Sequence, residues 1–438
     1  MNLTRAVRKT FRSLSHRNFR LFIGGQLVSM IGTWLQSVAQ SWLVYRLTGS
    51  SLLLGAITFA LQFPLVLVAP FGGALADRLP RRRLLIAMAA TLGTLTALLG
   101  ILTVASLVSI GLLFAFALAM GLANGVDNPS RQAFVVEMVG KRDLANAIAL
   151  NSSIVNMARI AGPALAGLLV ATIGEGWCFF INGLSYFVVL FALTRIRVDE
   201  SARRDRPRVG IRTTLREMGQ GFRFVARSLP MRALLLLVGL ISLVGMPYVV
   251  LMPIFADQIL GSGAGTLGLL LGANGLGALA SALWLAARSS ARGLERWVSR
   301  ASIAFGALLV AFSLSTSLGL SLALLPFIGG SAVMQMASTN TLLQTLTTDE
   351  MRGHIMAAYS IMFFGMSPLG ALAAGAIADS LGAPRTVMLG ALLSLCGAVV
   401  FRAFLGRISR EIRGPVEAAC ERAAVCRSHV ESPADAPP

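Results

Sequence analysis

Apolar stretches about twenty residues long recur along the whole chain, and the gaps between them are short and rich in arginine. This spacing constrains the fold more than any motif does. About 20 mostly apolar residues, coiled as a helix, cross the ~30 Å hydrocarbon core of a bilayer. A helix is also a structure that satisfies its own backbone polar groups there. Twelve such spans are predicted, at 19–46, 51–76, 83–105, 108–128, 145–173, 177–196, 231–257, 264–287, 300–315, 318–345, 353–380 and 384–405. The ninth is the weakest, because Arg300 and the sparse SLSTS gap crowd it.

The charges test this count. Charged residues make up 13% of the chain, about half the ~25% of a soluble protein. A net charge of +19 in a soluble protein would suggest nucleic acid, but here the cations lie in the gaps. An even number of spans puts both termini on one face. That face takes every Lys and Arg except Arg46, Arg159 and Arg385. The positive-inside rule makes it cytoplasmic, so a multi-pass protein of the bacterial inner membrane is expected, with the lipid bilayer as partner and no nucleic acid. The first residues are basic and polar, unlike a cleavable signal. Cys178, Cys396, Cys420 and Cys426 show no metal or disulfide spacing. The scattered His16, His354 and His429 offer no metal site. No nucleotide-binding Gly-x-x-x-x-Gly-Lys-Ser/Thr loop occurs, which argues against ATP. No catalytic constellation emerges, so neither enzyme activity nor a cofactor is expected.

The chain divides into a six-span bundle (1–196), a basic cytoplasmic linker (197–230), a second six-span bundle (231–406) and a tail (407–438) expected to be disordered. Within the linker, RTTLREMGQGFRFV reads equally as an amphipathic surface helix or a solvated connector. The halves are weakly alike. NPSRQ at 128–132 and NTLLQ at 340–344 each end a fourth span, and RIAGPALAG in the fifth span is echoed by GMSPLGALAAG in the eleventh. Such repeats are a transporter plan. The fold class is therefore all-α membrane protein, with twelve transmembrane helices in two pseudo-symmetric six-helix bundles.

The gap after the second span reads GGALADRLPRRR. From Gly73 onward, with Leu75, Ala76, Asp77, Arg78, Arg81 and Arg82, it resembles the signature loop of the major facilitator superfamily, Pro80 standing where that loop has glycine. SLSHRNFRLFIGGQLVSMIGTWLQ and DNPSRQAFVVEMV are similar to the branch containing enterobactin exporters and bacterial transmembrane secretion effectors. RIAGPALAG resembles the Gly-Pro motif of antiporters in that superfamily. The resemblance implies a conformational latch. Asp77 would face the start of the eleventh helix near Arg352 in the outward-open state, and Arg81 would pair with Asp127. The bland alternative is an arginine cluster that only sets topology.

Inside the membrane, Arg159 is either an anion-attracting group of the pathway or a structural arginine, since a guanidinium in hydrocarbon must face protein or water. Gln26, Ser29, Thr33, Gln36, Ser37, Gln40 and Ser41 give the first span a polar stripe, which reads as cavity lining or as interhelical bonding. Gln36 and Gln40 are nominated for the pathway, with Asn124, Tyr248, Gln335 and Asn340, because the resemblance puts the first, fourth, seventh and tenth helices around it. No carboxylate is evident within a span, so Asp127 and Asp257, at helix ends, are the candidates for proton coupling. Gly268, Gly272 and Gly277 form a small-residue stripe for helix packing, as do Gly162, Pro163 and Gly167. The expected function is secondary active export of a small or medium organic molecule, siderophore-like or drug-like, by alternating access with proton coupling. Arg159 tilts the substrate toward an anionic or neutral amphiphile. A proton-driven exporter of cationic drugs is the first alternative, and a non-transporting membrane scaffold or sensor is the second.

Overall fold

The computed structural model describes residues 12–197, 219, 223–288 and 292–431. Helices carry the described chain, numbered here α1 (Arg17–Thr48), α2 (Ser51–Arg78), α3 (Arg81–Val104), α4 (Ile110–Gly140), α5 (141–173), α6 (Glu175–Arg195), α7 (Leu229–Ile259), α8 (Gly263–Ala286), α9 (Leu294–Ser313), α10 (Leu318–Thr345), α11 (Met351–Leu381) and α12 (Ala383–Glu431). Ten of them are long and apolar enough to cross a membrane unaided. The exceptions are α5, whose apolar part is short, and α9, which carries Glu295, Arg296 and Arg300.

Local chemistry sets the turns. Gly49 takes a left-handed φ of 62° to close α1, and the Ser50 hydroxyl accepts from the Leu53 N–H to open α2, a helix stop followed by an N-cap. Two boundaries depart from the sequence reading. The fourth helix does not end near Asn128: it passes through Pro129 and stops at Gly140, where φ is 68°. A proline removes one backbone bond, and in a packed membrane helix neighbours and hydroxyls absorb the loss. The carbonyl that loses its N–H is that of Gly125, four residues before Pro129; the Ser130 hydroxyl donates to the next one, Val126, at 2.7 Å. At the other end, α12 continues as helix through Glu431. Phe401, Ile408 and Ile412 are buried at helical spacing, and Ser409 reaches Glu295 of α9. Most of the 197–230 linker lies outside the described residues.

In the first half α1 packs on α6, α2 on α4 and α3 on α6. In the second, α8 packs on α10, and α9 on α10 and α12. The halves meet along α2–α11 and α5–α8. Large apolar side chains such as Leu168, Phe187, Leu283 and Phe327 remain exposed, as a lipid-facing surface requires.

Candidate transport pathway and its latches

The face where α1 starts, where α2 gives way to α3 and where α11 starts is called the basic face, and the opposite one the far face. At the far face the halves are locked together. Gly167 and Gly268 bring α5 and α8 into backbone contact: a methyl on Gly167 would lie 2.5 Å from Gly268 Cα. Pro163 and Ala164 flank the same contact, against Gly268 and Gly272. Gly162 instead faces Trp34 of α1, and Gly277 faces Pro326 of α10. Across α2–α11, Gly55 abuts Ala371 and Gly375. The Asp379 carboxylate of α11 accepts from Ser50 Oγ and Ser51 N, both at 3.1 Å, and from Leu52 N at 3.4 Å. An acid from one half thus satisfies the free N–H groups at the start of a helix in the other, where the helix dipole also favours it. Tyr45 of α1 donates to Asp257 of α7 at 2.7 Å, so Asp257 is an exposed far-face contact.

Toward the basic face the contacts between halves thin out. Segments Ile361–Gly365 and Met366–Leu381 carry the packing of α11 on α2, whereas Asp349–Ser360 packs on α10 and α7. Asp77 and Arg78 are exposed, as is Arg352 at the start of α11. Gly73 has open space beside it, while Gly72 carries the close approach, to Gly125 and Val126 of α4. The arrangement is closed at the far face and parted at the basic face.

The signature loop is tied to its own half. Arg81 is buried; it donates to Asp77 and Glu137, each at 2.9 Å, and to the Ala76 and Ala133 carbonyls. Its partner on α4 is therefore Glu137, not Asp127, because α4 extends past Asp127 to the level where α3 begins. Arg82 caps α6 through the Leu193 and Thr194 carbonyls, at 2.7 and 2.8 Å.

Asp127, 2% exposed, lies deep within α4, 13 residues or about 20 Å of helix before Gly140. The helix does hold a carboxylate well inside its length, contrary to the sequence reading, which ended the span at 128. One turn on, Arg131 donates to Asp127 Oδ2 at 2.6 Å and also to Gln26 of α1. Asp127 Oδ1 has no hydrogen-bond partner.

The nominated pathway residues separate. Gln36 is turned into the first half: its amide donates to Met120 Sδ at 3.0 Å and accepts from Thr96 and Asn182 at 3.2 and 2.6 Å. Gln40 is buried. Tyr248 is buried against Phe305 and donates to Asn274 of α8 at 2.8 Å. Asn124 is half-buried and donates to the Met120 carbonyl. Asn340 is half-buried and accepts from Gln344. Gln335 is 1% exposed, and neither end of its amide has a partner. Arg159 falls within α5, with its side chain outside the described residues. Sequence reasoning missed Arg131 and Asp379, and it named Gln26 only as part of the polar stripe of the first span. The Asp-x-x-x-Arg spacing of 127 and 131 was the available signal for one of them, since residues four apart share a helix face.

Two six-helix bundles touch along α2–α11 and α5–α8, and together with the family match that follows they make the chain a transporter of the major facilitator superfamily. More closely, the chain belongs to the transmembrane secretion effector family, whose sequence model matches residues 8–412. It is 24% identical over 390 residues to the staphyloferrin A transporter of Staphylococcus aureus, covering 87% of this chain and 95% of that one. It is 26% identical to the multidrug efflux pump Tap of Mycolicibacterium fortuitum, covering 89% and 95%. Identity is also 26% to the enterobactin exporter EntS of Escherichia coli, covering 91% and 93%. In fold it matches a bacterial homologue of the lysosomal transporter Spinster, solved inward-facing and occupied, with TM-score 0.65, 14% identity and coverage of 92% and 98%.

Proposed function

We propose that the protein exports a small or medium organic molecule, siderophore-like or drug-like, across the inner membrane by proton-coupled alternating access. Both termini lie in the cytoplasm on this reading, and the arrangement described is the inward-open one. The single observation that carries the reading is the one-sided closure: backbone-tight glycine contacts and the Asp379 cap hold the halves at the far face, whereas toward the basic face the Asp349–Ser360 segment of α11 packs on α10 and α7 instead of on α2. A scaffold has no use for two halves that part at one end. The relatives' names, among them a staphyloferrin A transporter, an enterobactin exporter and a multidrug efflux pump, support this substrate range.

In the working cycle, a proton reaching Asp127 from outside weakens its hold on Arg131, which in turn holds Gln26 of α1. Substrate entering from the cytoplasm meets the half-buried Asn124 and Asn340. Closure at the basic face brings Asp77 to the start of α11 and lets another helix occupy the open space beside Gly73. Arg159 is the candidate for attracting an anionic substrate. The buried Asp127 also favours a second reading, export of cationic drugs, because it supplies the acid such an exporter requires.

Uptake into inverted membrane vesicles, with an imposed proton gradient and a panel of anionic chelators, neutral drugs and cationic drugs, tests both. Accumulation that stops when the gradient collapses is expected, and the charge of the accumulated compounds separates the readings. No accumulation of any class sinks the proposal.

A further inference from the structure

The lipid-facing side of the second half carries a groove of about 570 Å³ between α8, α9 and α10. Its floor is apolar and shaped by backbone. Gly277 abuts the Pro326 carbonyl of α10, and Gly330 abuts Ser281, so no large side chain fills the space between α8 and α10. At its basic-face end the groove is framed differently. Trp284 of α8 and Trp297 of α9 meet with ring centroids 4.7 Å apart. The Arg300 guanidinium lies 5.7 Å from the Trp297 ring, and that of Arg288 lies 5.6 Å from the Trp284 ring. Arg300 is exposed and lines the groove itself.

Each part of this arrangement has a membrane counterpart. Indole rings settle at the level of the lipid headgroups. A cation on the cytoplasmic side attracts anionic headgroups, and basic pockets between membrane helices hold them. An apolar slot running from that level into the bilayer takes an acyl chain. The same position explains why α9 reads poorly as a span: Arg300 lies six residues, or about 9 Å, from the start of the helix at Leu294.

We propose that this groove is a binding site for an anionic glycerophospholipid of the leaflet on the basic face. The phosphate pairs with Arg300 beside the Trp284–Trp297 pair, and one acyl chain lies in the slot beneath Ala280 and Ala304. The site faces the bilayer, so lipid binding here is separate from the transport pathway and stands whether or not export is demonstrated.

The test uses the full-length protein reconstituted in phosphatidylcholine vesicles, with tryptophan fluorescence quenched by lipids brominated on the acyl chain. Brominated phosphatidylglycerol is expected to quench more than brominated phosphatidylcholine at equal mole fraction, with a relative association constant of about fivefold, the factor one cationic side chain contributes at a membrane surface. Arg300→Gln lowers this preference to near one, and Arg300→Lys retains most of it. Ala280→Phe fills the slot from its exposed side and lowers quenching by both lipids. Arg232→Gln, which removes a lipid-facing arginine from the groove between α7 and α12, leaves the preference unchanged and so excludes a general surface-charge effect. Equal quenching by the two lipids in the unaltered protein overturns the proposal. So does a preference that survives Arg300→Gln or falls equally with Arg232→Gln.

Discussion

The two six-helix halves share a plan and differ in what holds them. Ion pairs between described side chains all lie in the first half: Arg12 and His16 with Asp143, Arg46 with Glu175, Arg81 with Asp77 and Glu137, and Arg131 with Asp127. The second half has π-helical turns at Ile241–Gly245, Phe255–Ile259 and Ile361–Gly365, and buried polar atoms without partners on Ser299, Gln335 and Thr339. The internal repeat that aligns 128–132 with 340–344 sets Thr339 opposite Asp127 and Leu343 opposite Arg131. One half is fastened by ion pairs and carries the buried Asp127–Arg131 pair. The other has helices that depart from regular winding, a common mark of functional segments, and polar groups that await a partner. On the proposed function, protons act on the first half while the second bends and reads the substrate.

The sharpest way to break this contrast is to give the first half the residues of the second. Arg131→Leu strands Asp127 as a buried unpaired charge and is expected to cost about 3–5 kcal/mol, read as a lower unfolding temperature in detergent. The double variant Asp127→Thr with Arg131→Leu copies the second half. It is expected to regain most of that stability while losing the response of vesicle uptake to a proton gradient. Gradient-driven uptake by the double variant would remove Asp127 as the coupling group.

Asp379→Ala removes a helix cap donated across the interface. The expected loss is about 1 kcal/mol of the closed far face, a shift of about fivefold in the balance of states. Alkylation of a cysteine placed at Ser41, reached from the far face, should rise by that factor. An unchanged rate would show that the glycine contacts alone hold the far side shut.

Gln335→Leu replaces an unsatisfied buried amide with an apolar side chain. Stability is expected to stay level or rise by up to about 1 kcal/mol, while uptake falls several-fold. Full uptake would take Gln335 out of the pathway. The smallest effect is expected from Arg12→Ala, below about 1 kcal/mol, because Arg12 is half exposed and His16 still holds Asp143 at 2.9 Å. A larger loss would mean that the first half depends on its charges even at its surface.

Much of the architecture was legible because hydrocarbon demands long apolar runs and arginine gaps mark one face. The signature loop was equally plain, although its arginines turned out to serve separate helices: Arg81 holds α4, and Arg82 caps α6. The inner polar residues were harder. A stripe on a helical wheel shows that residues share a side, not what that side meets, so Gln36 could not be told from a cavity residue until α3, α4 and α6 were in place around it. The fourth span was bounded at 128, where the apolar run gives way to NPSRQ, so Asp127 was placed at a boundary although the helix continues to Gly140. The continuation of α12 was hidden by its many charges, which cover the outside of a helix whose Ile408 and Ile412 still face the core.

The Asp379 contact is asymmetric in a way that matters for how the far gate can be adjusted. Its acceptor is a side chain on one bundle, but two of its three donors are peptide groups on the other, and no substitution at Ser51 or Leu52 short of proline deletes a peptide N–H. The strength of that gate can therefore be tuned by changing a single codon on α11, leaving the receiving helix nearly free to vary.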